Sequence, residues 1–195
     1  MFTHRINDRL ELRLYAPHHA DEVFAVSDSN REHIRVWLPW IDAVKTVEDT
    51  REFIKKSLEQ YGRDDGFQCG IWEDNTYVGG LGFHWINRTS NYTEIGYWLA
   101  KRAEGRGIMT AAVKALVDHA FDVWKLNKVE IRAARENHRS RAIPVRLHFI
   151  EEGTLRQIGR IGTTYHDLVV YGITTAEWSA QRAGFSSAPI TPPAQ

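Results

Sequence analysis

The chain is poor in sulfur and carries no excess of either charge. Its single cysteine, Cys69, excludes an internal disulfide and, lying in an apolar run, reads as an inert buried thiol. Lysine and arginine total 25 and aspartate and glutamate total 25, so no global charge draws the chain to nucleic acid or to a membrane surface. No apolar run approaches the ~20 residues that a membrane span needs, and no signal pattern is visible, so the expected setting is the cytoplasm. The histidines, among them His18-His19 and His138, show no spacing with Cys, Asp or Glu that argues for a metal, and none is expected. A Walker Gly-Lys-Ser/Thr and a dinucleotide Gly-x-Gly-x-x-Gly are both missing, which leaves a nucleotide-binding reading weak. No internal repeat is present.

What the chain does have is a distinctive loop. Between a strand ending at Leu99 and an amphipathic helix starting near Thr110 lies Arg102-Ala103-Glu104-Gly105-Arg106-Gly107-Ile108-Met109. Two glycines two apart let the backbone turn tightly and bring main-chain N–H groups close to a ligand. Those groups, with the positive end of the next helix, suit a phosphate; the competing reading is an ordinary turn. The helix buries a stripe of Ala112, Val113, Leu116, Val117, Ala120, Phe121 and Trp124, with Lys114, Asp118 and Asp122 opposite. That stripe is core, and it fixes where the helix N-terminus points.

The remaining elements follow from local pattern. Leu10, Leu12 and Leu14 alternate with Glu11 and Arg13 as a first strand. Pro17 opens a helix to about Ser27. Thr46-x-x-Asp49 makes a capping box for a helix that turns Phe53, Ile54, Leu58 and Tyr61 inward and stops at Gly62. Phe67–Trp72, Tyr77–Trp85 and Tyr92–Leu99 are strands with turns at Asp74-Asn75 and Asn87–Ser90, and Lys128–Ala133 alternates as another. A short helix runs from about Ser140 to Leu147, followed by strands near Glu152–Gln157 and Leu168–Ile173. One domain over residues 1–182 is expected, with 183–195, holding Pro189, Pro192 and Pro193, as a loose tail.

Several pieces then occur in a telling order: Trp37-Leu38-Pro39-Trp40, Thr93-Glu94-Ile95-Gly96-Tyr97-Trp98-Leu99, the Arg102–Gly107 loop, Asn137-x-x-Ser140, and Phe149-x-x-Glu152-Gly153-x-Leu155-Arg156. Together they resemble the Gcn5-related N-acetyltransferase (GNAT) family, in its Rim-type branch of ribosomal-protein-alanine and -serine N-acetyltransferases. The resemblance covers roughly residues 8–180. It implies an α+β fold, a mostly antiparallel mixed sheet of about seven strands with about four helices. It also implies acetyl-CoA as acetyl donor and direct transfer to a primary amine.

The resemblance further implies roles. The stretch from Arg102 through Gly107 to Ile108, Met109 and Thr110 would hold the diphosphate, and the strand end Tyr97-Trp98-Leu99 would pair with the pantetheine amides. Asn137 would bond the pantetheine arm, or else serve as a turn residue. Glu94 would be the general base through a water, or else a solvated strand carboxylate. Ser140 would protonate the departing sulfur, or else cap its helix. Relatives with a tyrosine acid a few residues on have no counterpart here, where Ile143, Pro144 and Val145 stand. His148 replaces a common glycine and reads as a helix stop in a left-handed conformation, or as an imidazole near the cofactor channel.

Trp37 and Trp40 would wall the acceptor site, or anchor the core. An N-terminal α-amine, with a pKa of ~7.7–8.0, is far more often neutral at pH 7 than lysine near ~10.4, which favours it as acceptor for a weak base. The alternatives are a small amine such as a polyamine, amino acid or antibiotic, and a non-catalytic acyl-CoA-binding protein. The sequence does not separate monomer from homodimer.

Overall fold

The computed structural model describes residues 3–186 of the 195. Eight strands form one sheet in the order β1-β2-β3-β4-β5-β6-β8-β7. They are β1 (Thr3–Arg5), β2 (Leu10–Leu14), β3 (Gln68–Glu73), β4 (Thr76–Asn87), β5 (Tyr92–Leu99), β6 (Lys128–Ala134), β7 (Ile150–Ile161) and β8 (Thr164–Thr174). The helices are α1 (Ala20–Ser29), α2 (Arg31–Arg35), α3 (Val47–Gly62), α4 (Ile108–Asp122), α5 (His138–Arg146) and α6 (Thr175–Ser186). Every pairing is antiparallel except β5 with β6. That parallel pair requires a crossover, which α4 supplies.

Local chemistry explains the elements. Asp74 and Asn75 take positive φ (48° and 60°), the conformation a two-residue hairpin turn between β3 and β4 demands. At α3 the capping box forms as expected: Thr46 Oγ1 accepts from Asp49 N at 3.3 Å, and Asp49 Oδ2 accepts from Thr46 N at 2.8 Å. On α4, Ala112, Val113, Leu116, Val117, Ala120 and Phe121 are buried against one face of the sheet, in a cluster with Leu12, Ile71, Phe83, Ile95, Val129 and Ile131. The opposite face carries a smaller cluster of Tyr15, Val23, Ile54, Trp72 and Tyr77.

The α+β fold with about seven strands is as expected, the eighth being the short Thr3–Arg5, which pairs with Glu11–Arg13. To the about four helices expected, the structure adds α2 and α6. Other expectations need correction. In α3, Phe53 and Tyr61 are exposed, and the small residues Thr50 and Ser57 are buried beside Ile54 instead. Helix α6 carries past residue 182 to Ser186, so 183–186 are not tail; residues 187–195 lie outside the described residues. No described helix is long and apolar enough to cross a membrane.

Candidate active site

Strand β5 is where the sheet comes apart. It pairs with β6 only at Tyr92↔Lys128, Thr93↔Val129 and Glu94↔Glu130. Beyond Glu94, β5 stays with β4 as far as Leu99, while β6 follows β8 as far as Ala134. The edge of Ile95–Leu99 that faces β6 therefore offers backbone N–H and C=O groups with no partner strand, the edge an extended amide-bearing ligand can join.

At the far end of that edge the chain reaches the glycine loop. Gly105 and Gly107 both sit at φ +76°, with nothing within 4 Å of where a Cβ would stand. Gly107 is the N-cap of α4 and no side chain caps the helix, so its first N–H groups face the loop unclaimed. Open glycines beside an uncapped helix start, next to a free strand edge, fit a diphosphate and a pantetheine arm. Ala103, Ile108 and Met109 point into the core, so only their backbone can contribute. Arg102 Nη2 donates to the Tyr77 carbonyl at 3.2 Å, and Arg106 pairs with Glu73 at 2.7 Å. Glu104 ties the loop to both neighbours, meeting His33 of α2 at 3.1 Å and Arg139 of α5.

Helix α5 lies against Tyr97. The Tyr97 hydroxyl donates to the Ser140 carbonyl at 3.0 Å and receives the Ser140 hydroxyl at 3.3 Å. Burial pushes the Tyr97 phenol well up, so it stays a donor at any physiological pH. The cap of α5 is Asn137, whose Oδ1 accepts from Ser140 N at 3.1 Å. This corrects the reading of Ser140 as the cap: its hydroxyl is not spent on the helix end. It also leaves the Asn137 NH2 group for a ligand. His148 takes φ +58°, with His148 N bonded to the Val145 carbonyl at 3.0 Å and Phe149 N to the Pro144 carbonyl at 2.9 Å, a helix stop of the Schellman type. The ring is exposed, and the residue serves as the stop.

Alternation along β5 puts Glu94, Gly96 and Trp98 on one face. Trp40 meets Trp98 edge to face at 6.0 Å, and Trp37 meets His166 of β8 at 6.2 Å. Neither Trp37 nor Trp40 is a core residue; Trp40 is 39% exposed. Glu94 is no solvated strand carboxylate. Its side chain is 12% exposed, with Oε1 at 3.1 Å from His84 Nδ1 and Oε2 at 3.3 Å from Arg132 Nε. The Arg132 contact with Glu94 is an ion pair in which the buried Nε makes no hydrogen bond, while Arg132 Nη2 donates to Glu130 at 3.0 Å, and Lys128 joins Glu130 at 3.0 Å to Glu152 at 2.7 Å. Burial works against the charge on Arg132, yet the Glu130 bond and the Glu94 charge hold its guanidinium above the usual value.

His84 was not among the residues singled out in the sequence. The pairing register jumps from Phe83↔Ile95 to Ile86↔Thr93, so His84 and Trp85 together oppose Glu94. Such a two-against-one bulge re-aims side chains. A histidine ten residues before Glu94, just ahead of a hairpin turn, was the one available signal, and it carries no chemistry until the bulge is seen.

A sheet split open beside an uncapped, glycine-led helix is the architecture of an acyl-CoA-dependent transferase. A family model for the acetyltransferase (GNAT) domain matches residues 9–150, and the chain belongs to that family. Among curated proteins it is 34% identical over 93% of its length to the whole of YdaF of Bacillus subtilis (strain 168), whose name assigns it provisionally to ribosomal N-acetylation. It is 27% identical over 87% of its length, and 94% of the other's, to the ribosomal-protein-serine acetyltransferase of Escherichia coli (strain K12). Among solved structures, the ribosomal-protein α-N-acetyltransferase RimL in complex with coenzyme A superposes with a TM-score of 0.84 at 26% identity, covering 87% of this chain and 96% of that one. The protein is a Rim-type N-acetyltransferase with acetyl-CoA as its acetyl donor.

Proposed function

We propose that the enzyme acetylates the N-terminal α-amine of a protein, a ribosomal protein being the first candidate, by direct transfer in a ternary complex. The observation that carries this reading is the acceptor face: Trp40 and Trp98 form an open aromatic wall on the same side of β5 as Glu94. An acceptor face that leaves Trp40 exposed suits a peptide end, which must enter tip first. The names of the relatives point to the same acceptor class.

The backbone from Arg102 to Thr110 holds the diphosphate, the free edge at Tyr97, Trp98 and Leu99 pairs with the pantetheine amides, and the Asn137 amide steadies the arm. The amine's proton is accepted at the Glu94 cluster, and the Ser140 hydroxyl meets the departing sulfur. A general base of this kind contributes about 10²–10⁴ in rate, and an α-amine, partly neutral at pH 7, needs less of it than a lysine.

Thiol release from acetyl-CoA, followed with peptides bearing free serine or alanine N-termini and with spermidine, lysine and aminoglycosides, tests the reading. Peptides should show the higher kcat/KM. A small amine preferred over every peptide would overturn it.

A further inference from the structure

Glu94 Oε1 is taken up by His84, and Oε2 is held in an ion pair with Arg132, whose Nε lies 3.3 Å away without hydrogen-bond geometry. The residue with room to act is its partner: the His84 side chain is 50% exposed where that of Glu94 is 12% exposed. We infer that His84, oriented by Glu94, is the group that takes the proton from the acceptor amine. This deepens the proposed function and rests on it.

Three features of the fold place the imidazole. The bulge at His84-Trp85 turns the side chain onto the Glu94 face. Gly96 leaves the space it fills, since a Cβ there would stand 2.1 Å from His84 Nε2. Gln60 Nε2 holds the backbone from the other side, donating to the Phe83 carbonyl at 2.9 Å and the His84 carbonyl at 3.3 Å. With Nδ1–H donated to Glu94, the lone pair is on Nε2. That nitrogen lies over Gly96, within the stretch of β5 whose edge is free, and on the side walled by Trp98 and Trp40. Arg132 anchors Glu94 from β6, so the carboxylate can orient the ring without moving to meet the substrate.

The steps balance. The substrate ammonium loses one proton to Nε2, which passes it to solvent. The neutral nitrogen attacks the thioester carbon, the C–N bond forms and the C–S bond breaks. The nitrogen's excess proton ends on the sulfur by way of the Ser140 hydroxyl.

The charged groups around His84 are Glu94 on β5, Arg132 and Glu130 on β6, and Asp65, which accepts from Ile86 N at 3.2 Å. The test is His84→Gln, which keeps a side-chain donor for Glu94, assayed with a serine-N-terminal peptide and with spermidine. Either amine must lose a proton, so the outcome does not hinge on the acceptor class. Expected are a fall in kcat/KM of about 10²-fold, loss of the acid limb of its pH profile, an unchanged acetyl-CoA Kd and an unchanged melting temperature. His84→Ala, whose space admits a small ring, should regain rate with added imidazole. A His84→Gln enzyme that keeps both rate and acid limb, or a His84→Ala enzyme that imidazole fails to rescue, overturns the assignment. Failure of the wild type to bind acetyl-CoA would instead overturn the underlying functional reading.

Discussion

Gly105 and Gly107 stand at φ +76° with open space where a side chain would go, while Gly96 and Gly172 are roofed over. A Cβ at Gly96 would meet His84 Nε2 at 2.1 Å, and one at Gly172 would meet Glu152 Oε1 at 2.3 Å. The open pair serves the backbone: only glycine adopts that conformation cheaply, and the space beside it is where the proposed diphosphate would lie. The roofed pair serves other residues, letting the polar side chains of His84 and Glu152 lie close on the sheet. On the proposed assignment, the cofactor side is built from main chain and the acceptor side from side chains. Substitutions on the two sides should fail differently, one in binding and the other in turnover.

The largest effect is expected on the side-chain half. Glu94→Gln, which removes the charge that orients His84, should lower kcat by up to about 10²-fold, no more than His84→Gln does, while acetyl-CoA affinity, measured by calorimetry, stays constant. Full rate across the pH range would mean that positioning alone drives transfer and would erase the contrast. Gly96→Ala should reproduce most of that loss by displacing His84, again with binding intact.

Next comes the main-chain half. Gly107→Val places a β-branched residue at positive φ, costing about 1–2 kcal/mol of loop conformation, and its side chain intrudes where the diphosphate would lie. Acetyl-CoA Kd should rise by tenfold or more (about 1.4 kcal/mol per decade), with kcat at saturation little changed. An unchanged Kd in a folded variant would remove the loop from the site.

A smaller test separates neighbours on α5. Asn137→Ala should cost about 1 kcal/mol of stability as the lost cap. Ser140→Ala should leave the melting temperature alone and slow transfer, because its hydroxyl bonds Tyr97 rather than the helix end. Equal melting shifts in the two variants would show that the division of labour is wrong. Smallest of all is chelation: no group of three or more potential metal ligands exists among the described residues, and EDTA should leave activity unchanged.

Whatever depends on near neighbours in the chain was legible in advance. The capping box at Thr46 and Asp49, the Asp74-Asn75 turn, the buried stripe of α4 and the glycine loop are all local signals, since spacing along one element decides which face is buried. Local reading erred where size outweighed shape: the large rings of Phe53 and Tyr61 were assigned inward, but the tight face of α3 takes Thr50 and Ser57. It also missed Arg31–Arg35 and Thr175–Ser186. The first is too short to show a period; the second was signalled by the capping box Thr174-x-x-Glu177, in which Glu177 Oε2 accepts from Thr174 N at 2.8 Å and Thr174 Oγ1 from Glu177 N at 3.3 Å, and that local signal was overlooked.

The sequence by itself determined most of the elements and their order, the glycine loop ahead of α4 and the family to which the chain belongs. Only the tertiary structure decided that His84, Glu94 and Arg132 meet, that Asn137 rather than Ser140 caps the start of its helix, and that β5 leaves β6 after Glu94. The reason is register. A bulge and a split are relations between strands, and a shift of one residue in pairing turns every side chain to the opposite face. No spacing within a single strand records which residue lies across from it.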